Sequence, residues 1–528
     1  MQYPTLHALY PKHSPNGWTV ISYVGLCALL LWPIWSGTRL AGMLTVDMAD
    51  TLYFQRAFFQ HWFDHQSVNS NVQTDGIWLW LPNWLDHLTM MPFRVFPFPW
   101  SANLWWLCVW SSGGLMTHWV AQKMGASTQH AFLCGVSWLL SESILRELNL
   151  FHAPQSMTLF LPLFLLALIR WTTKPSNTNA LYLGVIFGVN ALIYWYNALF
   201  LSILIIPAAI TTRHRSLIWI LCSIILMCGY PLWDYLSLHS PLISHSLSEE
   251  IQRNSQWLVA DRSHRVSLVL GLACLVHCLR SKKDWQWFTL LTVTVLLSTG
   301  GMLWTTLQGL HPFLERLHWP ERWTVLVPLL MIPMLIQIKK PFIWLALSLI
   351  ETGLFSPNLP IVTTDLAPYQ CLAQLSDIDG MLIEVGHLNP KQGPWIALHQ
   401  QFHNADVPGP IGIPPQHRSK DQWNGWPEAQ KWEQLFSGIS DWENDSFEQL
   451  NAQGIAAILL MPPPLSALSQ AEYNRYRLQL STHIGPAEEL GCGHLWWTGE
   501  TQFPLHSDSS PSPTPTVQKT IIERLDAF

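Results

Sequence analysis

Apolar segments recur through the first two thirds of the chain and constrain its fold more than any other feature. Several are shorter than the roughly 20 residues that span a bilayer, so their ends are expected to extend into flanking Trp-rich turns. The stretch Tyr194–Asn197 predicts a turn within 180–212 rather than one long kinked helix. The pattern predicts a mainly α protein, a polytopic transmembrane bundle of about eleven helices, near residues 18–35, 102–121, 130–145, 155–171, 180–194, 197–212, 216–232, 266–280, 285–299, 323–338 and 342–356.

Charged residues divide the chain into two parts. Only 12% of the residues are charged, about half the roughly 25% of a typical soluble domain. Residues 360–528 hold 8 of the 28 Lys and Arg and 19 of the 34 Asp and Glu, a net charge of −11, whereas residues 1–359 carry +5. We therefore predict a membrane domain over 1–359 and an acidic, water-exposed domain over 360–505. The acidic balance argues against a nucleic-acid partner, because phosphate backbones are bound by Lys and Arg.

The connections between the segments are basic in alternation, which predicts an orientation. By the positive-inside rule these short basic turns face the cytoplasm, together with the N-terminus. The first outer loop, residues 36–101, and the C-terminal domain then lie outside the cell's inner (plasma) membrane, which the chain crosses several times. No A-x-A cleavage site follows the first segment, so we expect a retained helix. The basic turns hold Lys123, Arg170, Lys174, Arg213, Arg215, Arg280, Lys282, Lys283, Lys339 and Lys340.

The C-terminal domain alternates strand-like and helix-like stretches, which predicts a small α/β domain. Residues 380–386 and 454–461 read as strands, and 394–402 and 469–479 as helices. Cys371 and Cys492 both lie in this domain, and an outer compartment would allow them to pair, although spacing alone leaves this open. A Ser/Pro-rich stretch predicts a flexible tail over 506–528.

The long first outer loop carries the most suggestive polar residues. Asp47 and Asp50 stand three residues apart, so both lie on one face at the start of an amphipathic stretch that contains Tyr53 and Arg56. Asp also favours helix N-termini for purely structural reasons. Trp78 and Trp80 begin a Trp-rich run that either stacks a sugar, seats a lipid head group or forms an interfacial belt.

Five sequence elements occur in a fixed order along residues 15–360. They are the aromatic stretch Ala49–Gln55, the Pro-rich approach Met91–Pro99, the small-residue turn Ala121–Ser127, the His/Asn element Leu148–Gln155 before Leu161–Leu163, and the Pro-x-Arg element His318–Trp323. In this order they resemble bacterial polytopic membrane proteins of the C-type glycosyltransferase (GT-C) superfamily. The chain departs from that pattern in two ways: Ala49 stands where such proteins usually have Gly, and the loop lacks the acidic Asp-Glu pair of several members.

The resemblance implies sugar transfer from a polyprenyl-phosphate-linked donor to an acceptor on the outer face of the membrane. It makes Asp50 the expected general base with Asp47 as its helper, and Arg322 the leading cation for the departing phosphate. Substrate binding would also use Arg56, Tyr53, Trp78, Trp80 and His152. Expected partners are the lipid-linked donor, an acceptor of unknown identity and membrane lipids. No cofactor or metal site is predicted, although a requirement for a divalent metal stays open.

Other functions and other roles for these residues compete with this interpretation. The chain could be a transporter or flippase of a lipid-linked substrate, or a non-catalytic scaffold with an outer sensing domain. Arg322 could be an interfacial anchor paired with Glu321 or Glu315, and Arg146 could pair with Glu142 or Glu147.

Ionisable and metal-binding residue types in or near the apolar segments also have two interpretations. Glu142 and Glu351 lie where charges are costly and often functional, but Glu142 could simply be solvated at a helix end. Packing within a helix, rather than metal binding, is the expected role of the group Cys274, His277 and Cys278. For the i, i+4 pair His399 and His403 we expect acceptor recognition or packing against the outer loops rather than metal binding.

Overall fold

The structure is a computed structural model, and the described residues are mainly helical with a small sheet. They divide into two compact units. The first lies within Met1–Pro33, Trp80–Asp86 and Trp105–Thr363, and the second within Ile34–Leu79, His87–Leu104 and Thr364–Phe528. The residues that the structure describes are 16–42, 84–212, 215–237, 266–281, 284–299, 320–375, 378, 381–385, 399, 402, 455–463, 465–466 and 468–498.

The helices follow the apolar segments of the sequence. Each predicted segment contains a helix, and the segment 130–145 contains one helix and the start of another. A 3-10 turn at Pro320–Val325 precedes α13. Among the described residues, the helices that precede the four-stranded sheet in the chain are α1 (Gly17–Leu30), α2 (Trp84–Met90), α3 (Trp100–Lys123), α4 (Thr128–Leu139), α5 (Glu142–Asn149), α6 (Ala153–Ser156), α7 (Phe160–Thr173), α8 (Asn177–Ile193), α9 (Trp195–Thr212), α10 (Leu217–Ser237), α11 (Leu268–Arg280), α12 (Trp285–Ser298), α13 (Leu326–Leu335) and α14 (Pro341–Phe355).

Polar caps define where several of these helices begin. Asn16 before α1, Ser127 before α4 and Ser176 before α8 each accept a hydrogen bond from the backbone N–H three residues on. Such a cap satisfies one of the N–H groups that the first turn leaves without a partner. The predicted turn between α8 and α9 is confirmed, because Tyr194 is extended and ends α8.

Close helix packing in the first unit depends on glycine. A Cβ atom at Gly135 of α4 would lie 2.7 Å from the carbonyl oxygen of Gly114 in α3, and one at Gly184 of α8 would lie 2.8 Å from that of Ile220 in α10. These distances are too short for a side chain, so glycine allows the backbones to approach.

None of the helices within the described ranges has both the length and the apolar character that spanning a bilayer requires. The predicted helices are present, but their crossing of a membrane stays a prediction.

The second unit contains a four-stranded sheet and the helix α15 (Gln470–His483). Its strands are β3 (Met381–Val385), β4 (Ile455–Leu460), β5 (Glu488–Leu490) and β6 (Gly493–Trp497), in the order β3-β4-β6-β5. The β3–β4 pair is parallel and the other two pairs are antiparallel. The predicted strands at 380–386 and 454–461 and the helix at 469–479 are therefore confirmed.

The core of this sheet is apolar, as the apolar runs of the predicted strands indicate. Ile383, Ile458 and Leu480 are fully buried within it. At the start of α15, Ser469 and Glu472 form a reciprocal capping box, which satisfies two backbone donors. A separate pair, β1 (Arg39–Ala41) and β2 (Thr363–Asp365), forms a two-stranded sheet.

A disulfide joins Cys371 and Cys492, whose Cα atoms are 5.9 Å apart. The sequence left this pairing open, and the structure decides it. The bond lies within the second unit and closes a loop between positions that are 121 residues apart. Such a cross-link stabilises a fold mainly by restricting the unfolded chain.

We expect replacement of Cys371 and Cys492 by Ser to lower the free energy of unfolding of the second unit by about 2–4 kcal/mol. Chemical unfolding followed by tryptophan fluorescence measures the change. Cys108, an exposed free cysteine, provides the matched control, and Cys108→Ser should have little effect. The prediction is contradicted if dithiothreitol lowers the free energy of unfolding equally in the wild type and in the double variant.

Candidate functional site

The helix α5 differs from the apolar helices of the first unit because it carries several charged residues. Its sequence contains Glu142, Arg146 and Glu147, and both glutamates are buried. Burying an ionised carboxylate costs free energy unless it is paired or hydrogen-bonded. The partners of these two glutamates therefore show where polar groups cluster in the first unit.

The turn after α5 brings His152 back to Glu147. Phe151 adopts a left-handed backbone with φ of 57°, a conformation that commonly closes helix C-termini. The N–H of Phe151 donates to the carbonyl of Leu148 at 3.2 Å, and the N–H of His152 donates to the carbonyl of Glu147 at 2.9 Å. The ring of Phe151 is buried against Trp106, with centroids 4.9 Å apart, and this packing stabilises the left-handed turn.

The Glu147 carboxylate lies between two side chains of this helix and turn. Arg146 Nη1 donates to Glu147 Oε1 at 2.8 Å, and His152 Nδ1 hydrogen-bonds to Glu147 Oε2. Of the two partners predicted for Arg146, the structure therefore selects Glu147.

Electrostatics keep Glu147 ionised despite its burial. Burial by itself raises the pKa of this carboxyl, but attraction by His152, Arg146 and Arg322 outweighs burial and holds the pKa well below the usual range of a glutamate. The contribution of Arg322 shows that it lies close enough to act on the same carboxylate.

Arg322 is held by two tyrosines, Tyr194 at the break between α8 and α9 and Tyr196 in the first turn of α9. Its Nη1 donates to the Tyr194 hydroxyl. Its guanidinium carbon lies 5.7 Å from the ring centroid of Tyr194 and 5.4 Å from that of Tyr196, within the range of cation–π attraction. The two rings stack on each other with centroids 5.1 Å apart, and Trp323 packs on Phe200 behind them.

The structure thus brings together two of the predicted substrate-binding residues, His152 and Arg322, through Glu147. The two tyrosines were missed as site residues, because the sequence analysis used their stretch only to predict a turn. The available signal was the pair of tyrosines on either side of Trp195 in the sequence. We name Arg146, Glu147, His152, Tyr194, Tyr196 and Arg322 the arginine cluster.

Arg146 and Arg322 bring two guanidinium groups to the arginine cluster, and both attract the carboxylate of Glu147. A guanidinium whose orientation is fixed by a hydroxyl and two rings presents its donors in a rigid fork, which matches phosphate or carboxylate oxygens.

The other predicted site residues belong to the first outer loop. Asp47, Asp50, Tyr53, Arg56, Trp78 and Trp80 all lie outside the described residues, and their predicted roles stay predictions.

Candidate metal-binding residues have protein partners where the structure describes them. His277 Nε2 lies 2.9 Å from Asp284 Oδ2, and the Cys278 thiol lies 3.5 Å from the Met334 sulfur. His399 Nδ1 hydrogen-bonds to Glu384 Oε2, and its pair residue His403 lies outside the described residues. Across the described ranges, no three His, Cys, Asp or Glu residues group in a way that could hold a metal ion.

The fold is that of a mainly helical protein with a small mixed sheet. No protein-family model and no curated protein matches the chain. Among solved structures it is similar to the arabinofuranosyltransferase AftD from mycobacteria, with a TM-score of 0.47 and 16% sequence identity. The match covers 85% of this chain and 37% of that one, so the chain spans little more than a third of that protein's length.

Proposed function

We propose that this protein is an integral membrane glycosyltransferase of the GT-C type, which transfers a sugar from a polyprenyl-phosphate-linked donor to an acceptor on the outer face of the membrane. The observation that carries the proposal is the setting of Arg322, held by the Tyr194 hydroxyl and lying over two tyrosine rings. A polyprenyl phosphate departs with growing negative charge, and a preorganised guanidinium stabilises that charge.

Exposed apolar side chains on the helices of the first unit support a membrane location. Trp18 of α1 is 76% exposed, Leu226 of α10 is 85% exposed and Leu354 of α14 is 70% exposed. Large apolar side chains exposed in such numbers favour a lipid or protein surface over water. We place the N-terminus in the cytoplasm and the C-terminal domain outside the inner membrane, following the charge pattern of the turns.

In the proposed reaction, the acceptor hydroxyl attacks the anomeric carbon of the donor sugar. Asp50 takes the hydroxyl proton, with Asp47 orienting the acceptor. The bond between the anomeric carbon and the phosphate oxygen breaks, and its electrons leave with the polyprenyl phosphate, which Arg322 binds. His152 and the loop residues Tyr53, Arg56, Trp78 and Trp80 hold the donor.

Replacing Asp50 by Asn is expected to lower the rate of sugar transfer about 10²-fold, because the acceptor hydroxyl loses its base. The measurement is transfer from radiolabelled polyprenyl-phosphate sugars by the purified full chain in detergent. Asp75, another carboxylate of the same loop, provides the matched control, and Asp75→Asn should retain activity.

The same preparation separates the proposed enzyme from its alternatives. Equal rates of sugar transfer by the wild type and Asp50→Asn would exclude Asp50 as the general base. Movement of the labelled donor across vesicle membranes without any sugar transfer would instead indicate a flippase. The absence of both activities would indicate a non-catalytic scaffold.

A further inference from the structure

One end of the first unit is a junction at which α11 and α13 end and α12 and α14 begin. Asp284, directly before α12, lies at its centre. The Oδ2 atom of Asp284 is 2.9 Å from His277 Nε2 of α11 and accepts from Ser281 Oγ at 3.1 Å. It also accepts from Gln337 Nε2, two residues after α13, at 3.4 Å. Asp284 therefore joins three of the helices, and the proposed transfer reaction uses none of these residues.

Three cationic side chains surround this junction on its exposed side. Arg280 is the last residue of α11, and Lys339 and Lys340 connect α13 to α14. All three are exposed, and none of them has an ion-pair partner among the described residues. Asp284 is buried and pairs with His277 instead. Three cations around one carboxylate leave the surface of the junction positive.

The turn that carries the two lysines is fixed in position. The carbonyl of Ile338, directly before Lys339, lies 2.8 Å from His130 Nε2 of α4, and Pro341 begins α14 on the other side. Between them Lys340 adopts a left-handed backbone with φ of 57°. Residues with a Cβ atom adopt this conformation at a cost, and Gly or Asn adopts it more readily. The backbone thus holds the Lys340 side chain at the edge of the junction.

Exposed apolar side chains lie directly beside these cations. Leu279, next to Arg280, is 67% exposed, and Phe342 and Ile343, in the first turn of α14, are 55% and 51% exposed. Large apolar side chains exposed together favour a lipid or protein surface over water. Cations beside apolar side chains fit the boundary of a bilayer, where phosphate groups meet acyl chains.

The combination of charge and apolar surface determines which ligand fits. A water-soluble phosphate would pair with the cations but would leave the apolar side chains exposed. A zwitterionic phospholipid would bring an ammonium group that the three cations repel. An anionic phospholipid satisfies both features, because its phosphate pairs with the cations and its acyl chains cover the apolar side chains.

We infer that this junction binds one anionic phospholipid of the phosphatidylglycerol class. Its phosphate pairs with Arg280, Lys339 and Lys340, and its acyl chains lie on Phe342 and Ile343. The inference rests on the membrane location proposed above, in which these turns meet the cytoplasmic leaflet. The bound lipid contacts the ends of α11, α13 and α14 together, so it stabilises their packing.

The test titrates the purified full chain in detergent with fluorescently labelled phosphatidylglycerol, and native mass spectrometry counts the bound lipids. We expect one phosphatidylglycerol per chain, bound at least tenfold more tightly than phosphatidylcholine with the same acyl chains. Lys339→Gln and Lys340→Asn should each weaken the affinity about fivefold, as expected when one cation near a phosphate is lost. The matched control is Lys174→Gln, which neutralises an exposed lysine of another basic turn, between α7 and α8, and should leave the affinity unchanged.

Lys340→Asn keeps the test decisive, because asparagine adopts the left-handed backbone more readily than lysine and the variant should fold. A weaker affinity for phosphatidylglycerol, with the melting temperature in lipid-free detergent not lowered, supports the site. The inference is overturned if phosphatidylcholine binds equally well, if Lys339→Gln and Lys340→Asn bind phosphatidylglycerol as tightly as the wild type, or if Lys174→Gln weakens binding by the same factor. It is also overturned if equimolar inorganic phosphate displaces the lipid, because the ligand is then a soluble phosphate.

The lipid titration contains no sugar donor, so it is independent of the proposed transfer reaction. Sugar transfer without selective binding of phosphatidylglycerol would overturn this inference alone. Selective binding of phosphatidylglycerol that the lysine variants weaken supports the site even if no sugar is transferred, and that result would overturn only the proposed reaction.

Discussion

Replacing Arg322 by Gln is expected to lower kcat for sugar transfer about 10³-fold, because the departing phosphate loses its preorganised cation. Gln keeps a hydrogen-bond donor near the Tyr194 hydroxyl but lacks the charge and the fork. The KM for the donor should change less than kcat, since the charge on the leaving oxygen is greatest in the transition state. Steady-state transfer from a polyprenyl-phosphate sugar gives both constants.

Two further variants separate the charge of Arg322 from its geometry. Arg322→Lys retains the positive charge but not the rigid fork, so we expect an intermediate loss of about tenfold. Arg475 provides the matched control, because its guanidinium also lies over a tyrosine ring, 4.9 Å from the centroid of Tyr476. Arg475→Gln removes an equivalent cation–π contact in the second unit and should leave kcat unchanged.

A particular pattern of rates would contradict the phosphate role of Arg322. If Arg322→Gln and Arg322→Lys lose activity in parallel with a loss of folded protein, Arg322 serves packing alone. If Arg322→Gln is folded and fully active, another cation binds the phosphate.

Local features of the fold were predictable because they depend on neighbouring residues. The apolar run 342–356 became α14 at Pro341–Phe355, and the run at 454–461 became β4 at Ile455–Leu460. The turn at Tyr194 followed from a polar aromatic stretch between two apolar runs. In each case the hydrophobic pattern and its interruption decide the local structure.

The arginine cluster could be predicted only in part, because its contacts join distant positions. Arg322 and Tyr194 are 128 residues apart, and helix packing alone brings them together. The sequence left Glu142, at i, i+4 spacing, and Glu147 as possible partners of Arg146. Asn358, 216 residues away, binds Glu142 instead, and the adjacent Glu147 pairs with Arg146. Periodicity identifies which face a residue occupies, but not which helix covers that face.

We expect Glu147→Gln to lower the free energy of unfolding by about 3–5 kcal/mol, because it removes the buried member of an ion pair whose cation, Arg146, is itself partly buried. The ionised carboxylate is the shared partner of Arg146 and His152 and also attracts Arg322. Gln has the same shape and can still hydrogen-bond, so the loss reports the charge rather than a cavity. Chemical unfolding of the purified chain in detergent measures it.

The pH dependence of this effect has a defined sign. The pKa of Glu147 is lower in the folded chain than the ordinary value of 4.5, so its contribution is complete above that pH and is lost as the pH falls below it. The difference in unfolding free energy between the wild type and Glu147→Gln should therefore be largest near neutral pH and shrink below about pH 4.5.

Comparison with Glu489→Gln and a double-mutant cycle with His152 make this prediction decisive. Glu489 is exposed, so its neutralisation should change the unfolding free energy by less than about 0.5 kcal/mol. In the cycle, Glu147→Gln and His152→Ala should show a coupling energy of about 1–3 kcal/mol, as expected for side chains in one buried network. Additive effects of the two changes, or a Glu147→Gln difference that does not shrink in acid, would mean that Glu147 is not the charged centre that holds the two arginines in place.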